Sequence, residues 1–297
     1  MCRPPQKCLY ALLWLALPAM AGNGSADHPA SYQVSPSEVR LTFFATKGDR
    51  TSVPVIAGGD FAVVDNGEIL RTFRSFAPAE PTPLNIVILV DASGSVANYL
   101  RRTLTALGQE LSRRETPSGD SVAVITFAGL QTNVVCVEDC GAAIARLGTL
   151  RAAGPTPLYD AVAFGAELAA RRSRRNSRSV LILLSDGDDT FSKISQDEAV
   201  GSVIASGALL YSLALGKSSG AALRSMAEAT GGRYFSGHET IDFVLKAALE
   251  DGRASYVVTY SLPTRATGFH SIRILPTHNP ELQFHCRQGY YYDPRPR

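Results

Sequence analysis

Asn85-Ile86-Val87-Ile88-Leu89-Val90-Asp91-Ala92-Ser93-Gly94-Ser95 decides the fold. After Asn85, five branched apolar residues, Ile86–Val90, run without a polar break and end on turn formers. Such a run reads as a strand buried on both faces, the pattern of a parallel sheet covered by helices. The strand delivers one carboxylate and two hydroxyls, Asp91, Ser93 and Ser95, to its carboxyl end. In open α/β sheets ligands bind at that edge. Three hard oxygen groups at i, i+2 and i+4 suit a hard divalent cation such as Mg²⁺ and offer zinc nothing soft. Asp and Ser at a strand end also commonly cap the following helix, so this segment alone leaves both readings open.

The same alternation continues outward from the first strand. Further strands are expected at Ser121–Phe127, Ser179–Ser185, Ala208–Ala214 and Arg233–Phe235, with an edge strand at Gln131–Val135 forming a hairpin with Ser121–Phe127. Helices are expected at Tyr99–Arg114, Leu158–Arg172, Gln196–Ser206, Gly220–Thr230 and Thr240–Glu250. The second carries Leu158, Val162, Gly165 and Leu168 at helical spacing. Strands separated by helices of this length imply right-handed crossovers and a doubly wound, Rossmann-like, mostly parallel sheet.

β-rich sequence flanks this unit on both sides. Before it, Val39–Phe43 alternates, Ser52–Ile56 is extended, and Asp60–Val64 leads through the turn Asp65-Asn66-Gly67-Glu68 to Ile69–Phe73. Ala77–Pro83 is a proline-rich connector. After it come Tyr256–Ser261, Ser271–Leu275 and Leu282–Arg287. One small β-sandwich built from both flanks, with the α/β unit inserted, is the economical arrangement; two separate β appendages are the alternative. The divisions are then 1–21, 22–31, 32–83, 84–252 and 253–297.

Residues 1–21 have the form of a secretory signal peptide. Arg3 and Lys7 precede an apolar stretch from Cys8 to Leu17, and Ala19-Met20-Ala21 supplies a small-x-small cleavage pattern before Gly22. The stretch falls short of the roughly 20 residues of a comfortable membrane span. An uncleaved anchor is the other reading, and no later run is long enough to cross a membrane. Residues 22–31 are small and polar, and disorder is expected there. An exported, periplasmic or extracellular protein follows.

At 297 residues, 45% hydrophobic and 19% charged, the chain can bury a sizeable core. Without residues 1–21 the formal charge of +2 falls to zero, so nothing points to nucleic acid. Cys136, Cys140 and Cys286 remain. Export permits disulfides, and Cys136 and Cys140, four apart, form a plausible small loop closure or stay as two thiols. Cys286 reads as a small buried hydrophobe on a strand. The spacing is poor for zinc.

Two further segments bring oxygens to the same sheet edge. Gly154-Pro155-Thr156-Pro157-Leu158-Tyr159-Asp160 is a turn entering a helix, and Leu181-Ile182-Leu183-Leu184-Ser185-Asp186-Gly187 is a second buried strand ending in a carboxylate. DxSxS after one strand, Thr before a helix and SDG after another strand resemble the complete metal-ion-dependent adhesion site of von Willebrand factor A domains, over about 170 residues. The resemblance implies that Ser93, Ser95 and Thr156 contact Mg²⁺ or Mn²⁺ directly, with Asp91 and Asp186 acting mostly through bound water. It also implies that a Glu or Asp carboxylate of a partner protein completes the octahedron. A narrower resemblance spans nearly all of the chain after residue 21. Asp60–Gly67, Leu158–Ala161, Leu184–Thr190, Thr230–Arg233 and Arg287–Tyr290 are similar to exported bacterial "VWFA-related" proteins of acidobacterial type, although Asp65-Asn66 stands where that group often has Glu-Asp.

The remaining polar groups have plainer alternatives. Asp160 either orients the site or stabilises the first turn of its helix. Asp188 and Asp189 read as solvated loop carboxylates, with a place facing the metal edge as the alternative; Arg171–Arg178 reads as a solvated charge run at a helix end, with contact to an anionic lipid or polysaccharide surface as the alternative. Ser93 lacks the GxSxG or SxxK setting of a nucleophile. Binding rather than catalysis is therefore expected. A structural envelope component whose metal only steadies loops is the competing class, followed by a polysaccharide binder or a metal-dependent hydrolase.

Overall fold

The computed structural model describes residues 32–294 apart from 35–36, 49–50, 52, 54, 114–118, 139, 175–176 and 217–219. The expected signal peptide, residues 22–31, Ser52, Pro54, Arg175 and Asn176 lie outside the described residues. In chain order come β1 (Tyr32–Val34), β2 (Glu38–Thr46), β3 (Phe61–Asp65), β4 (Glu68–Leu70) and β5 (Ser75–Pro78). The alternating segment follows: β6 (Leu84–Asp91), α1 (Ala97–Arg113), β7 (Ser121–Ala128), β8 (Gln131–Val137), α2 (Cys140–Arg146), α3 (Leu158–Arg172), β9 (Arg178–Ser185), α4 (Gln196–Ser206), β10 (Leu209–Ala214), α5 (Ala221–Thr230), β11 (Tyr234–Phe235) and α6 (Ile241–Arg253). The chain closes with β12 (Tyr256–Ser261), β13 (Gly268–Pro276), β14 (Gln283–His285) and β15 (Gly289–Tyr292).

The alternating segment forms a six-stranded sheet in the order β11-β10-β9-β6-β7-β8. All neighbours are parallel except the β7–β8 hairpin. Every residue of β6 is buried. Alternate side chains point to opposite faces of a strand. Ile86, Ile88 and Val90 therefore meet Leu100, Leu104 and Leu107 of α1 and Val244 of α6, while Val87 and Leu89 meet Leu158, Val162 and Ala166 of α3. Each such buried aliphatic side chain contributes about 1.5–3 kcal/mol. Gly165 belongs to this contact: a Cβ there would stand 2.9 Å from a Leu89 methyl, so its absence lets α3 seat closely on β6.

The flanks interleave into one β-sandwich. One sheet runs β1-β2-β12-β5, with β14 also paired to β2; the other runs β15-β13-β3-β4. Both sheets join strands from before and after the α/β unit, β12 pairing with β2 and β5 and β13 with β3, which excludes two separate appendages. Val39, Leu41, Phe43, Val258 and Tyr260 of the first sheet pack on Phe61, Val63, Ile272 and Tyr290 of the second. Asp65 lies within that core, fully buried, where its Oδ2 accepts Tyr260 Oη (2.8 Å) and Tyr290 Oη (2.9 Å).

The sandwich is fastened to the α/β unit by its last loop. Buried Arg287 donates from Nη2 to the Ile204 carbonyl at the end of α4, and Gln288 N–H to the Ala229 carbonyl of α5. Gly231 permits the approach: with φ +83°, a Cβ there would stand 2.7 Å from the Arg287 nitrogen.

Several expectations need correction. Val53, Val55 and Ile56 lie outside any strand, and the strand after the Asn66-Gly67 turn stops at Leu70. Ser75–Pro78, partly within the expected connector, is a strand; it sits at the sheet edge, where a proline's missing N–H breaks no ladder. α2 was not expected, and its first residue is a disulfide partner. Cys136 on β8 is bridged to Cys140, with Cα atoms 5.3 Å apart, within normal disulfide reach. Cys286 lies just beyond β14 rather than on a strand, and burial pushes its thiol up to about 12. Arg171 and Arg172 occupy the last turn of α3, but Arg178 turns inward, hydrogen-bonding the Gly252 carbonyl and Ser255 Oγ. It therefore leaves the solvated charge run.

Candidate metal centre

Register places the two acidic strand ends side by side. β6 and β9 are parallel neighbours with Val90 opposite Leu184, so Asp91 emerges beside Ser185. The fully buried Asp91 carboxylate is held from both sides: Ser93 N–H donates to Oδ1 at 2.8 Å and Ser185 Oγ to Oδ2 at 2.7 Å. Ser185 Oγ in turn accepts Gly187 N–H at 3.1 Å. Ser93 Oγ and Ser95 Oγ lie 3.0 Å apart, Ser93 buried and Ser95 exposed. The site thus has an interior and an open side.

Backbone bonds bring in the loop of Thr156. Gly94 N–H donates to the Gly154 carbonyl (2.9 Å) and Ala153 N–H to the Ala92 carbonyl (3.0 Å), a two-way bridge to the loop after β6. Thr156 is 3% exposed. Its N–H donates to Thr190 Oγ1 (2.8 Å), and its carbonyl accepts the N–H groups of Thr190 (3.0 Å) and Phe191 (3.1 Å). The loops of Asp91, Thr156 and Asp186 are therefore cross-linked at the carboxyl edge. Asp186 is 8% exposed and accepts Asp188 N–H at 3.3 Å.

The loop after β9 also finishes α3. Position 157, where a capping side chain would stand, is proline, with no acceptor to offer. The free N–H groups of the first turn find partners on the other loop instead: Leu158 N–H donates to Asp189 Oδ1 (2.9 Å), and Tyr159 and Asp160 N–H to Ser192 Oγ (2.9 and 3.2 Å). Asp160 answers by accepting the N–H groups of Lys193 and Ile194. Asp160 therefore orders the loop that carries Asp186 while sitting in the first turn of its helix. Asp189 is half-buried and structural rather than solvated; Asp188 is exposed, as expected.

Ser185, Thr190 and Ser192 were missed by sequence reasoning. Ser185 had a signal, since it directly precedes Asp186 at a strand end. Thr190 and Ser192 had none, because a cap supplied from another loop has no fixed spacing.

Burial pushes the Asp91 carboxyl above the usual carboxylate range, and the charge of Asp186 adds to this, against the hydrogen bonds from Ser185 and Ser93. Among the described residues no Lys, Arg or His pairs with Asp91. A cation from solution fits this gap. The donors are oxygens throughout, and no cluster of three His, Cys, Asp or Glu exists among the described residues. Adjacent ligands of an octahedral Mg²⁺ at 2.0–2.1 Å are about 3 Å apart, matching the Ser93–Ser95 hydroxyl separation of 3.0 Å.

The model of the von Willebrand factor type A domain matches residues 85–246, more than half of the chain. No curated protein matches the chain. Similar solved structures include an aerotolerance-related membrane protein from Bacteroides fragilis NCTC 9343 at 15% identity, covering 57% of this chain and 98% of that one with a TM-score of 0.46. Manganese-loaded TRAP protein from Plasmodium vivax is 16% identical, with 72% and 96% coverage and a TM-score of 0.45. Proximal thread matrix protein 1 from the mussel byssus, with a zinc-occupied MIDAS motif, is 16% identical, with 64% and 50% coverage and a TM-score of 0.46. With its sheet order, its loops and this match in agreement, the chain belongs to the von Willebrand factor type A domain family.

Proposed function

We propose that this protein binds a protein ligand through Mg²⁺ or Mn²⁺ held at the carboxyl edge of the six-stranded sheet. Ser93, Ser95 and Thr156 would hold the ion directly, and Asp91 and Asp186 would balance its charge, mostly through water. Neutral hydroxyl donors leave the ion electrophilic, and a Glu or Asp of the partner takes the position facing solvent. The carrying observation is the buried Asp91, beside a second carboxylate and two hydroxyls 3.0 Å apart, with no side-chain cation paired to it among the described residues. We take residues 84–252 as the A domain, residues 32–83 and 253–297 as the sandwich, and residues 1–21 as a signal peptide that exports the chain. Membership of the exported "VWFA-related" bacterial group belongs to the same proposal. No helix among the described residues is long and apolar enough to cross a membrane.

We take the activity to be binding rather than catalysis. Ser93 Oγ meets Ser95 Oγ, and no His or Lys hydrogen-bonds to it among the described residues, so it has no base to activate it. The dense cross-links from Asp160, Asp189 and Ser192 favour one rival reading, in which the metal only steadies loops. A crosslinked pull-down from the native envelope in Mg²⁺ and in EDTA, with Ser93→Ala as control, separates the two. Adhesion predicts partners captured only by the wild type in Mg²⁺. Equal capture in all arms, alongside Mg²⁺-dependent thermal stability, would leave only the structural role.

A further inference from the structure

We infer that the ligand carries two acidic residues, the second read by Arg102; this rests on the proposed metal-dependent binding. A cleft of about 380 Å³ opens at the same sheet edge, between α1 and the loops that follow β10 and β11. Two bonded neighbours tie it to the metal loops. The 3-10 turn Gly94–Val96 runs directly into α1, so Tyr99 on the cleft wall stands one helical turn from Ser95. On the other side Leu215 N–H donates to the carbonyl of Ser185, the residue before Asp186. Gly216 makes the wall thin: with φ +94°, a Cβ there would stand 3.0 Å from the Tyr99 ring.

The rim of the cleft carries a positive charge. Arg102 is exposed on its rim and makes no ion pair among the described residues. Glu239, the acid that also lines the cleft, is tied to its own loop, where it accepts Ser236 Oγ at 2.8 Å. Along the helix Arg102 lies about 11 Å from Ser95, and helical side chains lean toward the amino end, which shortens that span. An extended strand places side chains i and i+2 on one face about 6.7 Å apart. A Glu-x-Glu segment can therefore set one carboxylate on the ion and the next beside the guanidinium.

The test uses two peptides, acetyl-Gly-Glu-Gly-Gly-Gly-amide and acetyl-Gly-Glu-Gly-Glu-Gly-amide, titrated by NMR into the full chain at low salt, in Mg²⁺ and in EDTA. An exposed charge pair adds modest affinity, so the second Glu should tighten binding about three- to fivefold in Mg²⁺. Arg102→Gln should erase that increment and leave the single-Glu peptide unchanged, and salt at about 0.5 M should erase it too. Equal binding of the two peptides to the wild type, or an increment that survives Arg102→Gln, overturns the role of Arg102 alone. Peptide binding that is the same in EDTA as in Mg²⁺ overturns the metal reading beneath it.

Discussion

Among the described residues of the α/β unit, two carboxylates are completely buried and are treated in opposite ways. Asp251, near the end of α6, accepts Arg233 Nη1 at 3.0 Å and Tyr211 Oη at 3.2 Å, and both Asp251 and Arg233 are buried. Asp91, at the end of β6, is met by a serine hydroxyl and a backbone N–H, with Asp186 adding negative charge. A buried ion costs several kcal/mol to desolvate unless something compensates it. At Asp251 the chain supplies the compensating charge itself. At Asp91 the described residues supply only dipoles, and the compensating charge is the part given to a cation in the proposed function. Asp251 is therefore compensated within the chain, and Asp91 is the one that the proposed cation would compensate.

Substitutions can break this contrast. Asp251→Ala strands the Arg233 guanidinium in the interior and should cost about 3–5 kcal/mol of unfolding free energy in urea titrations. A loss below about 1 kcal/mol would mean Arg233 finds another partner, and the contrast with Asp91 collapses. Mg²⁺ at about a hundred times its dissociation constant should raise stability by about 2.7 kcal/mol, read as a Tm shift against EDTA. Asp91→Ala should abolish that gain, and in EDTA should cost much less than Asp251→Ala, because it also relieves repulsion from Asp186. No Tm shift with Mg²⁺ in the wild type counts against a metal at this edge.

Reducing the Cys136–Cys140 bridge, which closes a very short loop, should cost about 2 kcal/mol on the chain-entropy view, measured with and without a thiol reductant. Its effect belongs to the β8–α2 corner, so Mg²⁺ binding should persist; loss of binding on reduction would tie that corner to the site. The smallest effect is expected for Ser192→Ala, which removes the acceptor for the Tyr159 and Asp160 N–H groups. A lost cap costs about 1 kcal/mol. Hydrogen exchange should quicken at those two amides, and unchanged protection there would show that the loop after β9 does not cap α3.

Legibility differed sharply between the parts of the molecule. The six-stranded sheet was readable strand by strand because burial on both faces leaves long apolar runs such as Ile86–Val90. The sandwich was less so. β5 hid in a proline-rich stretch, since an edge position removes the usual objection to Pro78. α2 carried no clear helical pattern because it is short and starts at a bridged cysteine. Arg178 read as one more charge in a basic run, and only its burial against Gly252 and Ser255 separates it from Arg171 and Arg172.

The sequence by itself determined that Asp91, Ser93 and Ser95 end a buried strand, and that Thr156 and Asp186 sit where other loops reach the same edge. Those facts are local: apolar runs and turn residues mark strand ends, and crossover handedness sends the ends to one side. Only the tertiary structure decided how the site is held. Ser185 is drawn onto Asp91 by the register of β6 and β9, Thr190 and Ser192 are drawn onto Thr156 and α3 from another loop, and both flanks close into one sandwich. Such pairings are made between groups far apart in the chain, and no spacing rule records them. The missing positive charge at Asp91, set against the supplied one at Asp251, is of the same kind, because a charge is unpaired only with respect to everything packed around it.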